Sequence, residues 1–69
     1  MKTLADYRKS KQLNQTDVAS YLNVSQSTVC QWESGEYFPR IDKLMQLSKL
    51  LEVDVEELIE SIQEAKENK

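Results

Sequence analysis

A single glycine, Gly35, and a single proline, Pro39, are the only strong backbone breakers in this chain of 69 residues. Both fall in one stretch near the middle, so the backbone on either side is free to run as helix. Apolar residues recur there at helical spacing, and 39% of the sequence is hydrophobic. That combination favours short helices joined by tight turns over a sandwich or a disordered tail. A chain this short buries only ~60% of the surface its unfolded form exposes, so one compact all-helical domain is the limit.

Five helical segments are predicted. The first runs from about Leu4 to Lys11, with Thr3 as N-cap and Asp6 at the capping-box position; Leu4, Tyr7 and Lys11 share a face and Leu13 returns to the core. The second runs from Gln15 to Leu22 behind Asn14, with Val18, Ala19 and Leu22 inward and Asn23 ending it in the left-handed region. Val24 tucks under a three-residue turn, and Ser25 caps the third segment, Gln26 to Ser34, which carries Val29 and Trp32 inward and stops at Gly35. After the loop Glu36-Tyr37-Phe38-Pro39-Arg40, a fourth segment spans Ile41 to Leu51 with Ile41, Leu44, Leu47, Leu50 and Leu51 apolar. Val53 bridges to a fifth, capped by Asp54, with Val55, Leu58, Ile59 and Ile62 as its stripe; Glu64 to Lys69 is expected to fray.

Several functions are excluded by composition. Cys30 is the single cysteine and there is no histidine, so neither an intrachain disulfide nor a Cys/His zinc cluster can form. No nucleophile is paired with a plausible base and no glycine-rich phosphate loop is present, so an enzyme is not expected. The charged start and the lack of ~20 consecutive apolar residues point to a cytoplasmic protein without a membrane segment. No metal, cofactor or small-molecule ligand is called for.

Charge bears on the partner. The formal net charge is −3, against the basic footprint usual for nucleic-acid binders. It is unevenly placed: residues 1–49 carry seven basic and five acidic side chains, residues 50–69 two basic and seven acidic. Charges beyond ~8 Å are largely screened at physiological salt, so a local face matters more to a phosphate than the total.

One arrangement carries the functional argument. Two short helices are joined by a tight turn, and the outer face of the second offers Gln26, Ser27, Thr28 and Gln31, all uncharged hydrogen-bonding groups. A helix fits the major groove, where a glutamine amide donates and accepts at once and so matches adenine N7 and N6. Phosphate contacts outside the groove supply affinity; here Arg40, with Lys11 and Lys43, is expected to do so. The plain alternative is a solvated helix surface, with Cys30 a free thiol of no consequence.

From Leu4 to Leu58 the chain resembles the phage-repressor (Cro/Xre-type) helix-turn-helix domains. The resemblance lies in Arg8, Leu13 with Gln15, Val18-Ala19, Leu22-Asn23-Val24-Ser25, and Val29 with Trp32-Glu33-Ser34-Gly35. It continues through Pro39 and Leu44-Met45-Gln46-Leu47-Ser48-Lys49-Leu50-Leu51 to Val53 and Val55-Glu56-Glu57-Leu58. It implies a compact five-helix bundle over residues 4–58, with residues 59–69 the end of the last helix and a polar tail. It implies that Gln15 meets a phosphate, that Gln26, Ser27 and Gln31 read bases, and that Ser25 and Thr28 lie nearby on bases or backbone. Ser34 and Arg40 would touch the sugar-phosphate backbone, while Arg8 and Glu33 would form a structural ion pair. Asn23 and Glu52 stand where such domains often have glycine, and Glu36 places an acid in a loop that is often basic.

The expectation is therefore a sequence-specific double-stranded DNA binder, a transcriptional repressor. An antitoxin or restriction controller on the same fold, and a protein-interaction module without DNA binding, are the alternatives. Ile59 and Ile62 extend the apolar stripe of the last helix and are expected to pair two copies into a homodimer on a palindromic operator. The alternative for Ile62 is that it folds back onto the first helix.

Overall fold

The computed structural model describes residues 2–67, which form five α-helices and no strand. They are α1 (Leu4–Ser10), α2 (Gln15–Leu22), α3 (Gln26–Ser34), α4 (Ile41–Leu51) and α5 (Val55–Glu67).

Local chemistry sets where each helix begins and ends. Thr3 caps α1 in a reciprocal box: its hydroxyl accepts from the Asp6 N–H at 3.2 Å, and the Asp6 carboxylate accepts from the Thr3 N–H at 2.9 Å. Asn14 and Asp17 repeat the device at α2, at 2.7 and 3.0 Å. Ser25 caps α3 by accepting from the Thr28 N–H at 3.2 Å. The α2, α3 and α4 helices all end in left-handed residues, Asn23, Gly35 and Glu52. A fourth left-handed residue, Gln12, lies between α1 and α2. Left-handed backbone costs a bulky residue ~1–2 kcal/mol, and at Glu52 an ion pair with Lys11 stands against that cost.

The core is a single cluster drawn from all five helices: Leu4, Val18, Ala19, Leu22, Val29, Trp32, Leu44, Leu47, Leu51, Leu58 and Ile62. The α5 helix packs on both α3 and α4, and so backs α3 from inside. Ser61 is buried among apolar neighbours because its hydroxyl has partners in the Lys2 and Glu57 carbonyls, at 2.9 and 2.8 Å. With the Tyr7 hydroxyl donating to Glu57 at 3.3 Å, the start of the chain is tied to α5.

The structure corrects four expectations. Ile41 lies outside the core, 65% exposed, because the inward row of α4 is Leu44, Leu47 and Leu51. Ile62 does not extend a stripe beyond the bundle: it is 1% exposed and belongs to the core of the single chain. The α1 helix stops at Ser10 instead of Lys11, which serves as its C-cap. Glu64–Glu67 are helical, this last turn of α5 being held where Lys66 crosses Gly35. The remaining two residues of the expected tail, Asn68 and Lys69, lie outside the described residues.

Candidate nucleic-acid interface

Two helices and the turn between them build the interface. The α2 helix ends at Asn23, whose left-handed backbone lets the Val24 N–H return to the Ala19 carbonyl at 2.9 Å. Val24 is half-buried against the core, so the turn is anchored from within. Ser25 then restarts the chain as α3. Val29 and Trp32 are buried, which fixes the rotation of α3 about its own axis.

That rotation decides which side chains face out. With 3.6 residues per turn, Ser27 and Ser34 lie on the crest opposite Val29 and Trp32. Gln31 lies on one flank; Cys30 lies on the other, one turn after Gln26. Gln26, Ser27 and Cys30 are exposed, and Gln31 and Ser34 half-exposed. Thr28 sits lower, its hydroxyl bonded to that of Ser25 at 2.9 Å, so both are occupied with the helix cap. Ser34 donates to the Gln31 carbonyl at 3.1 Å and accepts from the Glu36 N–H at 3.4 Å, shaping the exit from α3.

Behind the crest runs a continuous chain of polar contacts. Arg8 of α1 donates from Nε to Glu33 Oε2 at 2.6 Å and from Nη1 to the Leu13 carbonyl at 2.7 Å. Both side chains of this ion pair are about nine-tenths buried. Glu33 Oε1 accepts from Gln15 Nε2 at 2.9 Å, and Gln15 Oε1 accepts from Gln26 Nε2 at 3.3 Å. The ion pair therefore orients Gln15, and Gln15 orients Gln26. Gln26 retains its carbonyl oxygen and one amide hydrogen for an outside partner.

The expected cations are distributed otherwise than the sequence suggests. Lys43 donates to the Leu22 carbonyl at 2.7 Å, closing the C-terminus of α2. Lys11 is paired with Glu52. Arg40 is exposed at the N-cap of α4, making no side-chain bond to its own helix. Nothing in the sequence marks Cys30, yet it stands on the exposed flank among the expected reading residues; only the buried pair Val29 and Trp32, taken as a rotation angle, points to it.

These features define a helix-turn-helix unit whose second helix presents a neutral hydrogen-bonding face. The family model described as helix-turn-helix matches residues 4–58. The chain belongs to this family, the Cro/C1-type helix-turn-helix, and so to the DNA-binding domains of transcription regulation. A curated relative, the HTH-type transcriptional activator BcrR of Enterococcus faecalis, is 36% identical over 56 residues, covering 81% of this chain and 28% of that protein. The chain thus spans less than a third of that relative's length. No solved structure matches it. No helix among the described residues is long and apolar enough to cross a membrane.

Proposed function

We propose that this chain binds double-stranded DNA in a sequence-specific manner, laying α3 in the major groove. The observation that carries the reading is the Gln15–Gln26 contact, because it holds an outward amide with one donor and one acceptor free. That is the pattern which pairs with adenine N7 and N6. Gln15, at the first turn of α2, keeps a second amide hydrogen and stands beside free backbone N–H groups, suited to a phosphate. Ser27 and Gln31 reach base edges from the crest and far flank, Ser25 and Thr28 act through the cap, and Ser34 and Arg40 meet the sugar-phosphate backbone.

The protein acts as a homodimer on a palindromic operator. One short helix reads few base pairs, and two helices about 34 Å apart read two half-sites. With Ile62 in the core, Ile59 remains as the half-buried apolar contact, with Val55 one turn before it. Repression follows from occupying a promoter. Activation is the second reading, favoured by the similarity to an activator, and a promoter fusion with and without the protein separates the two. Selection of duplexes from a random pool tests the whole proposal: enrichment of a palindrome is expected, and recovery of unselected sequence defeats it.

A further inference from the structure

The described residues of α3 carry one charged group, Glu33, and that carboxylate is held by Arg8 and Gln15 away from the crest. The reading face therefore has no guanidinium or ammonium, the groups that match guanine O6 and N7. It also has no free carboxylate to accept from cytosine N4. What remains are the amides of Gln26 and Gln31, the hydroxyl of Ser27 and the thiol of Cys30.

Cys30 is exposed one helical turn beyond Gln26, on the same flank. The two residues are ~6 Å apart along the helix axis, and base pairs are spaced by ~3.4 Å. A pair of neighbouring or next-neighbouring bases thus meets both side chains. A cysteine behaves as a small hydrophobe with a weak S–H donor. Its match in the major groove is the thymine C5-methyl group, the one apolar feature there.

From this juxtaposition we infer that the base pairs read by α3 are A·T pairs, with Gln26 on an adenine and the Cys30 thiol against the methyl group of a nearby thymine. The inference rests on the proposed DNA binding and adds the base class and a specificity-determining residue to it. Glutamine on adenine and cysteine on thymine reinforce each other because both select the same class of base pair, A·T, at nearby positions.

The test takes the duplexes enriched from a random pool and replaces each thymine of the half-site singly by deoxyuridine, which lacks only the methyl group. At one position the wild-type protein is expected to lose about fourfold in affinity, the effect of removing one methyl group from apolar contact. Cys30→Ser is expected to bind thymine and deoxyuridine duplexes equally at that position while keeping its preference for the other bases. Enriched duplexes with fixed G·C pairs at the α3 positions overturn the inference and leave DNA binding standing. So does a thymine effect that survives in Cys30→Ser, or no thymine effect at all. A pool from which nothing is enriched overturns DNA binding itself.

Discussion

A β-carbon at position 35 would lie 2.5 Å from the backbone nitrogen of Lys66, so Gly35 lets the end of α3 and the last turn of α5 meet backbone to backbone. Gly35 also has φ +81°, which L side chains rarely adopt. Gly35→Ala therefore combines left-handed strain with displacement of α5, and is expected to cost about 2–4 kcal/mol. Urea denaturation measures it. A loss of no more than ~1 kcal/mol, the low end of the backbone strain alone, would mean that α5 yields freely at that point.

Glu33 is the hinge of the polar chain behind the outer face of α3. Glu33→Ala leaves the Arg8 guanidinium buried with only the Leu13 carbonyl, and is expected to cost ~3–5 kcal/mol. Glu33→Gln keeps an acceptor for Arg8 and should cost less. Equal melting temperatures for the wild type and both variants would contradict the burial of the pair.

Gln26→Ala is expected to lose ~1–3 kcal/mol on the preferred duplex and little on random duplex. A phosphate contact alone would make Gln15→Ala weaken all sequences equally. The Gln15–Gln26 bond changes that expectation, since removing Gln15 also frees the Gln26 amide to rotate. Gln15→Ala should then lose affinity everywhere and part of the selectivity as well. Competition binding with both duplexes decides; an unchanged preference in Gln15→Ala shows that the bond does not orient Gln26 on DNA.

Salt dependence should be shallow. Lys43 and Lys11 are engaged within the protein, which leaves Arg40, exposed at the start of α4, as the unengaged cation among those expected to meet phosphates. Each neutralised phosphate contributes ~0.9 to the slope of log K against log salt, so a slope of roughly −1 to −2 per monomer is expected. A titration giving −4 or steeper would require cations that the fold holds elsewhere.

Acid should weaken the fold through two caps. The Thr3 N–H holds the Asp6 carboxyl below its ordinary 3.8, and Lys11 holds Glu52 below 4.5. Folding thus favours both carboxylates, and their stabilisation is present in full above those ordinary values and is lost as pH falls through the lower folded ones. The melting temperature of the wild type should decline below about pH 4, more steeply than that of the double variant Asp6→Asn, Glu52→Gln. Parallel curves would show that neither group contributes.

The helix-turn-helix was legible because each of its boundaries is set by a local signal: Asn14, Asn23, Ser25 and Gly35 act within a few residues of themselves. What periodicity could not give is which apolar residues of a wide stripe meet a neighbour. Ile41 and Ile62 occupy equivalent-looking places at the edges of their stripes, and only the placement of α5 against α3 and α4 buries the second and leaves the first exposed. The long side chains were equally illegible, since Lys11 and Lys43 find partners 41 and 21 residues away. Among the site residues, the types facing outward could be read, but the bond from Gln15 to Gln26 depends on how two helices cross.

From Gln12 to Pro39 the chain has no lysine or arginine, and α3, the helix proposed to read the duplex, lies wholly within that stretch. Random DNA is gripped mainly through charge, so a face made of amides, hydroxyls and a thiol has little hold on it. On that proposal the protein would slide poorly along the duplex and find its operator by repeated collision instead. In return, the ~10⁶–10⁹ decoy sites of a genome would hold few of its copies, and a modest number of molecules would be enough to keep an operator occupied.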